Sequence, residues 1–160
     1  MSKGVYLIGE SDMSDEDRII KHYIKDDWGM PTGRYLLYTL GLVSEKPEDI
    51  NIKTNLSIGN KKIGNIQVIE SHSSFHKIIG AKDIIMALEI LSMNNEVDES
   101  KMFEASNMIE ELLKTYSDSK MQTYIKNKYS RSVYVKLARI LDSMSIPNKV
   151  MELYVFKEQI

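Results

Sequence analysis

The chain has 160 residues, with 42% hydrophobic and 28% charged side chains, a formal net charge of −2 and no cysteine. That length and mixture suit a single compact domain spanning 1–160 rather than a disordered chain. The absence of cysteine excludes disulfides, thiolate nucleophiles and Cys-based zinc or iron–sulfur sites. No run of about 18 apolar residues exists to cross a membrane. The opening Met1–Glu10 has too short an apolar stretch for a signal peptide, so the expectation is a cytoplasmic protein without a membrane contact.

Gly4-Val5-Tyr6-Leu7-Ile8 reads as a buried strand. Ser14 followed by Asp15-Glu16-Asp17 marks a helix start, with a capping hydroxyl and acids in the first turn. Ile19, Ile20, Tyr23 and Ile24 supply its apolar stripe. Trp28-Gly29-Met30-Pro31 breaks it, and a second helix is expected over Thr32–Val43. Its Tyr35, Leu36, Leu37, Tyr38, Leu40, Leu42 and Val43 leave almost no polar face, which predicts burial or a covered partner surface.

From 50 to 70 the period changes to two. Ile50, Ile52, Leu56 and Ile58 alternate with polar residues, Gly59-Asn60-Lys61-Lys62 offers a turn, and Ile66 and Val68 continue the apolar face. This predicts a β-hairpin. A two-residue loop would pair Leu56 with Ile63. A longer, three-residue loop sets Ile52 against Val68 and is preferred, because it brings Ile66 and Val68 to the apolar side. From 81 onward the spacing is helical, and Val150–Phe156 is read as a terminal helix rather than a strand. The fold class is therefore α+β: a small antiparallel sheet, made of the N-terminal strand and the 50–70 hairpin, packed against a mainly helical C-terminal half. The Asn94–Ser100 loop suggests a subdivision into an α/β part, 1–95, and a helical part, 98–160.

Charge is unevenly spread. Residues 1–113 carry a net −7, residues 114–149 a net +6 and residues 150–160 a net −1. The basic segment contains Lys114, Lys120, Lys126, Lys128, Arg131, Lys136, Arg139 and Lys149, with tyrosines interleaved. Within it Ser132, Val135, Lys136 and Arg139 share one helix face opposite Val133, Leu137, Ile140 and Leu141. A basic face of this kind suits phosphates or an acidic protein surface, and the 119–144 helix pair has the outline of a helix-turn-helix. The same lysines would also serve as an ordinary solvated face. Contact residues expected on this account are Lys126, Lys128, Arg131, Ser132, Lys136 and Arg139.

Two other constellations stand out. Glu70, His72, Ser74 and His76 are two apart, so a continuing strand would put them on one face, where Glu70, His72 and His76 could hold a divalent metal or act as acid and base. A wet strand end explains them without function, so no catalytic residue, metal or cofactor is assigned. Trp28 and Met30 in a break between helices, with Tyr35 and Tyr38, are candidates for contact with a protein partner. The acids Glu10, Asp12, Asp15, Asp17, Asp26 and Asp27 suit magnesium, but more simply Asp15 and Asp17 serve a helix N-terminus. Phosphate-cradling glycine loops and the GxSxG elbow are absent.

The functional expectation is a non-enzymatic, macromolecule-binding regulatory protein that meets a protein complex or nucleic acid through its basic 114–149 helices. Lysine and isoleucine in excess indicate AT-rich codons, the context of a phage-type regulator or an inhibitor of a host defence complex. The alternatives are a DNA-binding transcription regulator using 119–144, and a small metal- or nucleotide-dependent enzyme using Glu70, His72 and His76. Ten methionines and the apolar Tyr35–Val43 stretch add self-association as a further expectation.

Overall fold

The computed structural model describes residues 13–25, 28–57, 59–71, 81–124 and 129–158. The expected strand at 4–8 lies outside them, as do Glu10, Asp12, Asp26, Asp27, His72, Ser74, His76, Lys126 and Lys128. In chain order the elements are α1 (Asp15–Ile24), β1 (Gly29–Thr32), α2 (Gly33–Thr39), β2 (Ile50–Thr54), β3 (Lys61–Ile63), β4 (Ile66–Glu70), α3 (Ala81–Ser92), α4 (Met102–Leu113), α5 (Asp118–Tyr124), α6 (Arg131–Ser143) and α7 (Val150–Glu158). The protein is α+β, with a small sheet followed by a helical C-terminal half.

α1 starts where its cap predicts: the Asp17 amide donates to Ser14 Oγ at 3.1 Å. Its buried Ile20 and Tyr23 close over the inner face of the sheet, formed by Ile50 and Ile52 of β2 and Ile66 and Val68 of β4. The terminal segment is a helix, as expected, and begins at Val150, three residues beyond Pro147.

The sheet is mixed rather than antiparallel. Its order is β1-β2-β4-β3, with β1/β2 and β3/β4 antiparallel but β2/β4 parallel. Ile52 does stand opposite Val68, as the longer-loop register has it, but the two strands run the same way. The chain leaves β2, makes the outer strand β3, and turns back at Gly64-Asn65 to insert β4 between them. Gly64 has φ +62°, a conformation that suits a tight hairpin turn and costs glycine little. Alternating burial has the same period in parallel and antiparallel strands, so the pattern located the inner face but not the strand direction.

The Trp28–Pro31 break is largely an edge strand. Pro31, which has no amide to donate, is tolerated there because, among the described residues, β1 pairs only with β2. Gly29 is required by close approach: a Cβ would lie 2.3 Å from the Tyr23 carbonyl oxygen and 2.6 Å from that of Lys53. Thr54 takes the next inward position after Ile52, and its buried hydroxyl donates to the same Tyr23 oxygen at 2.8 Å.

α2 explains the stretch without a polar face. Leu37, with Leu42 and Val43 just beyond the helix, enters the large helical core. Leu36 packs with Met30 and Ile85, and Tyr35 lies against the sheet core. The segment is thus enclosed from several sides by its own chain. The Asn94–Ser100 loop is tied back to it: the Asp98 amide donates to the Leu42 carbonyl at 3.0 Å, and the Ser44 amide to Asp98 Oδ2 at 2.9 Å. Glu89 of α3 makes a third tie, accepting from the Gly33 amide at 3.3 Å and from the Tyr129 hydroxyl at 2.7 Å.

Candidate functional site

α6 carries the basic face. Val133, Tyr134, Leu137 and Leu141 are buried and fix the helix's rotation, each side chain contributing about 1.5–3 kcal/mol through burial. At 100° per residue this turns Ser132, Lys136 and Arg139 outward together, and all three are exposed. Arg131 is exposed at the start of the helix but lies on a different flank. Ser132 bonds to Ser130, with 2.9 Å between their hydroxyl oxygens.

Lys136 and Arg139 line one wall of a groove of about 430 Å³. α4 and α6 both pack on α3 and not closely on each other, which leaves the channel between them. Its apolar surface comes from Leu91, Ile109 and Ile140. Ser143 continues the α6 wall, Ser106 and Glu110 of α4 form the opposite wall, and Asn94 closes the lining beyond α3. Among the described residues, neither Lys136 nor Arg139 makes an ion pair or a side-chain hydrogen bond.

Among the described residues, no other basic side chain of the segment lines this groove. Lys114 pairs with Glu111 at 2.7 Å, and the Lys120 ammonium donates to the Thr115 carbonyl at 2.8 Å. The Lys149 amide donates to Asp118 Oδ1 at 2.9 Å, placing that residue at the α5–α7 junction. Among the described residues of the 119–144 pair, Lys136 and Arg139 are thus the cations on the groove, and Arg131, also without an ion pair, stands on another flank. α5 and α6 are both seated on α3 and α7.

Three of the interleaved tyrosines, Tyr116, Tyr129 and Tyr134, are structural. Tyr134 is fully buried, and its phenol is pushed up to about 12, by burial first and by neighbouring Tyr154 second. The Tyr129 phenol is driven far above its ordinary range, chiefly by burial and then by the Glu89 carboxylate it bonds. Burial does the same to Tyr116, whose hydroxyl donates to Asp118 Oδ1 at 2.7 Å.

Met30 is wholly buried between Leu36 and Ile85, so it belongs to the core and not to a partner surface. Trp28 is half-buried, and its carbonyl accepts the Asn55 amide at 2.7 Å, closing the sheet's end. Tyr35 and Tyr38 are half-buried and stacked, with ring centroids 6.4 Å apart. Burial also raises the Tyr35 phenol.

Glu70 closes a loop: its Oε1 accepts the Gly59 amide at 3.0 Å while its own amide donates to Asn60 Oδ1 at 2.9 Å. Asp15 pairs with Arg18 along α1. Among the described residues, no three His, Asp or Glu side chains gather as a metal-binding group, and no helix is long and apolar enough to cross a membrane.

The periodicity argument missed the α4 side of the groove. Nothing in their spacing or charge singles out Ser106 and Glu110. Phe103, 78% exposed, carried the available signal: a large aromatic standing off the apolar stripe of its own helix. In comparisons with known proteins, no family model, curated protein or solved structure matches the chain.

Proposed function

We propose that the protein is a non-enzymatic binding protein that docks an acidic surface of a partner protein on the groove between α4 and α6. The observation that carries this reading is the pair Lys136 and Arg139: exposed, unpaired among the described residues, and set beside apolar surface. An unpaired cation at the edge of an apolar channel offers complementarity to a carboxylate, which chiefly gives specificity and association rate, while the apolar floor gives affinity.

Duplex DNA fits less well. Affinity for it comes from neutralising many phosphates at once, whereas Lys114 and Lys120 are already engaged and Glu110 places a carboxylate across from the cations. A photoreactive benzophenone side chain at exposed Ser143 tests the reading in an extract of cells expressing the chain. The expected result is a protein adduct at low salt that resists nuclease and disappears in the K136E/R139E variant. A nuclease-sensitive adduct, or one indifferent to the charge reversal, would overturn it.

A further inference from the structure

We infer that the occupant of this groove is an amphipathic α-helix of the partner, with an apolar stripe flanked by carboxylates on the side that meets α6. The inference rests on the docking reading above and adds the form and charge pattern of the ligand. All three elements bounding the groove, α3, α4 and α6, are helices, whose mid-helix backbone groups are paired internally. They offer no strand edge to an extended peptide, which would enter with its own amides and carbonyls unmet. A helix satisfies its backbone internally and presents only side chains. A volume of about 430 Å³ is far too small for a whole helix but takes the side chains of one helical face.

The charges define the flanks. Lys136 and Arg139 stand on the α6 wall and Glu110 on the α4 wall. A helix lying between them is complementary when Asp or Glu flanks its apolar stripe toward α6, with a neutral or basic flank toward α4. Phe103 supplies an independent observation. It precedes Ser106 by three residues and Glu110 by seven, so it continues the same stripe of α4 as an exposed aromatic at 78%. Exposed aromatics beside an apolar groove act as anchors, and this one extends the contact line beyond the channel.

The test uses two synthetic peptides of about 18 residues, five helical turns, with the same leucine stripe and either glutamate or lysine along its flank. Binding is read by fluorescence anisotropy on the intact protein. The glutamate peptide should bind wild type, weaken about tenfold or more with K136E/R139E, and weaken with F103A; the lysine peptide should bind only the charge-reversed variant. Circular dichroism should show the glutamate peptide gaining helix on binding. Equal binding of the two peptides to wild type, indifference to the charge reversal, or equal binding of a proline-interrupted glutamate peptide would each overturn the inference. If the peptides fail while the Ser143 adduct still depends on Lys136 and Arg139, the helical occupant falls and the docking reading stands. If that adduct too is lost or indifferent, both fall.

Discussion

Replacing Tyr129 by Phe removes one oxygen and keeps the ring against Tyr134, whose centroid lies 6.3 Å away in an edge arrangement. What is lost is the 2.7 Å hydrogen bond to Glu89 Oε2, which links the segment before α6 to α3. Hydrogen bonds to charged acceptors contribute roughly 1.5–3 kcal/mol. Glu89 is only partly buried, so water can replace the phenol, and it retains the Gly33 amide at 3.3 Å. Both considerations favour the lower half of that range, about 2 kcal/mol. For a chain of this length each kcal/mol moves Tm by roughly 2–4 °C, so the expected fall near neutral pH is about 4–8 °C.

The same bond predicts how that gap changes with pH. The folded Tyr129 phenol is raised above its unfolded value of about 10, by burial first and by Glu89 second. Its contribution is therefore complete below pH 10 and declines above it, because the unfolded chain releases a proton that the folded one retains. By pH 11 this costs wild type about 1.4 kcal/mol through Tyr129, while the Phe variant has nothing to ionise there. Urea unfolding of both proteins at pH 8 and pH 11 should show the gap shrinking from about 2 to about 0.6 kcal/mol. A gap that is absent at pH 8, or constant to pH 11, would refute the assignment of this hydroxyl as a structural tie.

Tyr116 and Tyr134 are raised as well, so wild type should lose stability steeply above pH 10, and absorbance at the tyrosinate band should show a late phase that coincides with unfolding. Gly29→Ala forces a methyl group to within 2.3 Å of the Tyr23 oxygen; it should cost about 3 kcal/mol or more, seen as loss of soluble protein or a collapsed unfolding midpoint, and a mild effect would contradict the β1 placement. Ser145, a non-glycine residue at φ 60° after α6, should gain about 1 kcal/mol on replacement by Gly, raising Tm by about 2–4 °C in calorimetry. Each of the exposed substitutions in K136E/R139E should change stability by no more than about 0.5 kcal/mol, which a thermal scan checks before any binding result is read.

Much of the architecture was legible because local chemistry and tertiary packing agree. Ser14 caps α1, Ile50, Ile52, Ile66 and Val68 face inward, and Val133, Leu137 and Leu141 seat α6, all as their spacing implies. The period of an apolar pattern reports which side of an element is buried, and for α6 this also fixed which side carries Lys136 and Arg139. It does not report what lies opposite. Strand direction between β2 and β4, the burial of Met30, and the enclosure of the Tyr35–Val43 stretch depend on partners distant in the chain.

The candidate site divides in the same way. Its cations were visible as a charge surplus in 114–149, but a count of charge cannot distinguish Lys114, paired with Glu111, or Lys120, held by a carbonyl, from Lys136 and Arg139, which line the groove unpaired among the described residues. The groove itself exists because α4 and α6 both lean on α3 without closing on each other. Amphipathic periodicity is a property of each helix alone and was readable from the chain. Whether two such helices meet, or leave a channel between them, is set by how all of them share one core, and only the folded structure contains that information.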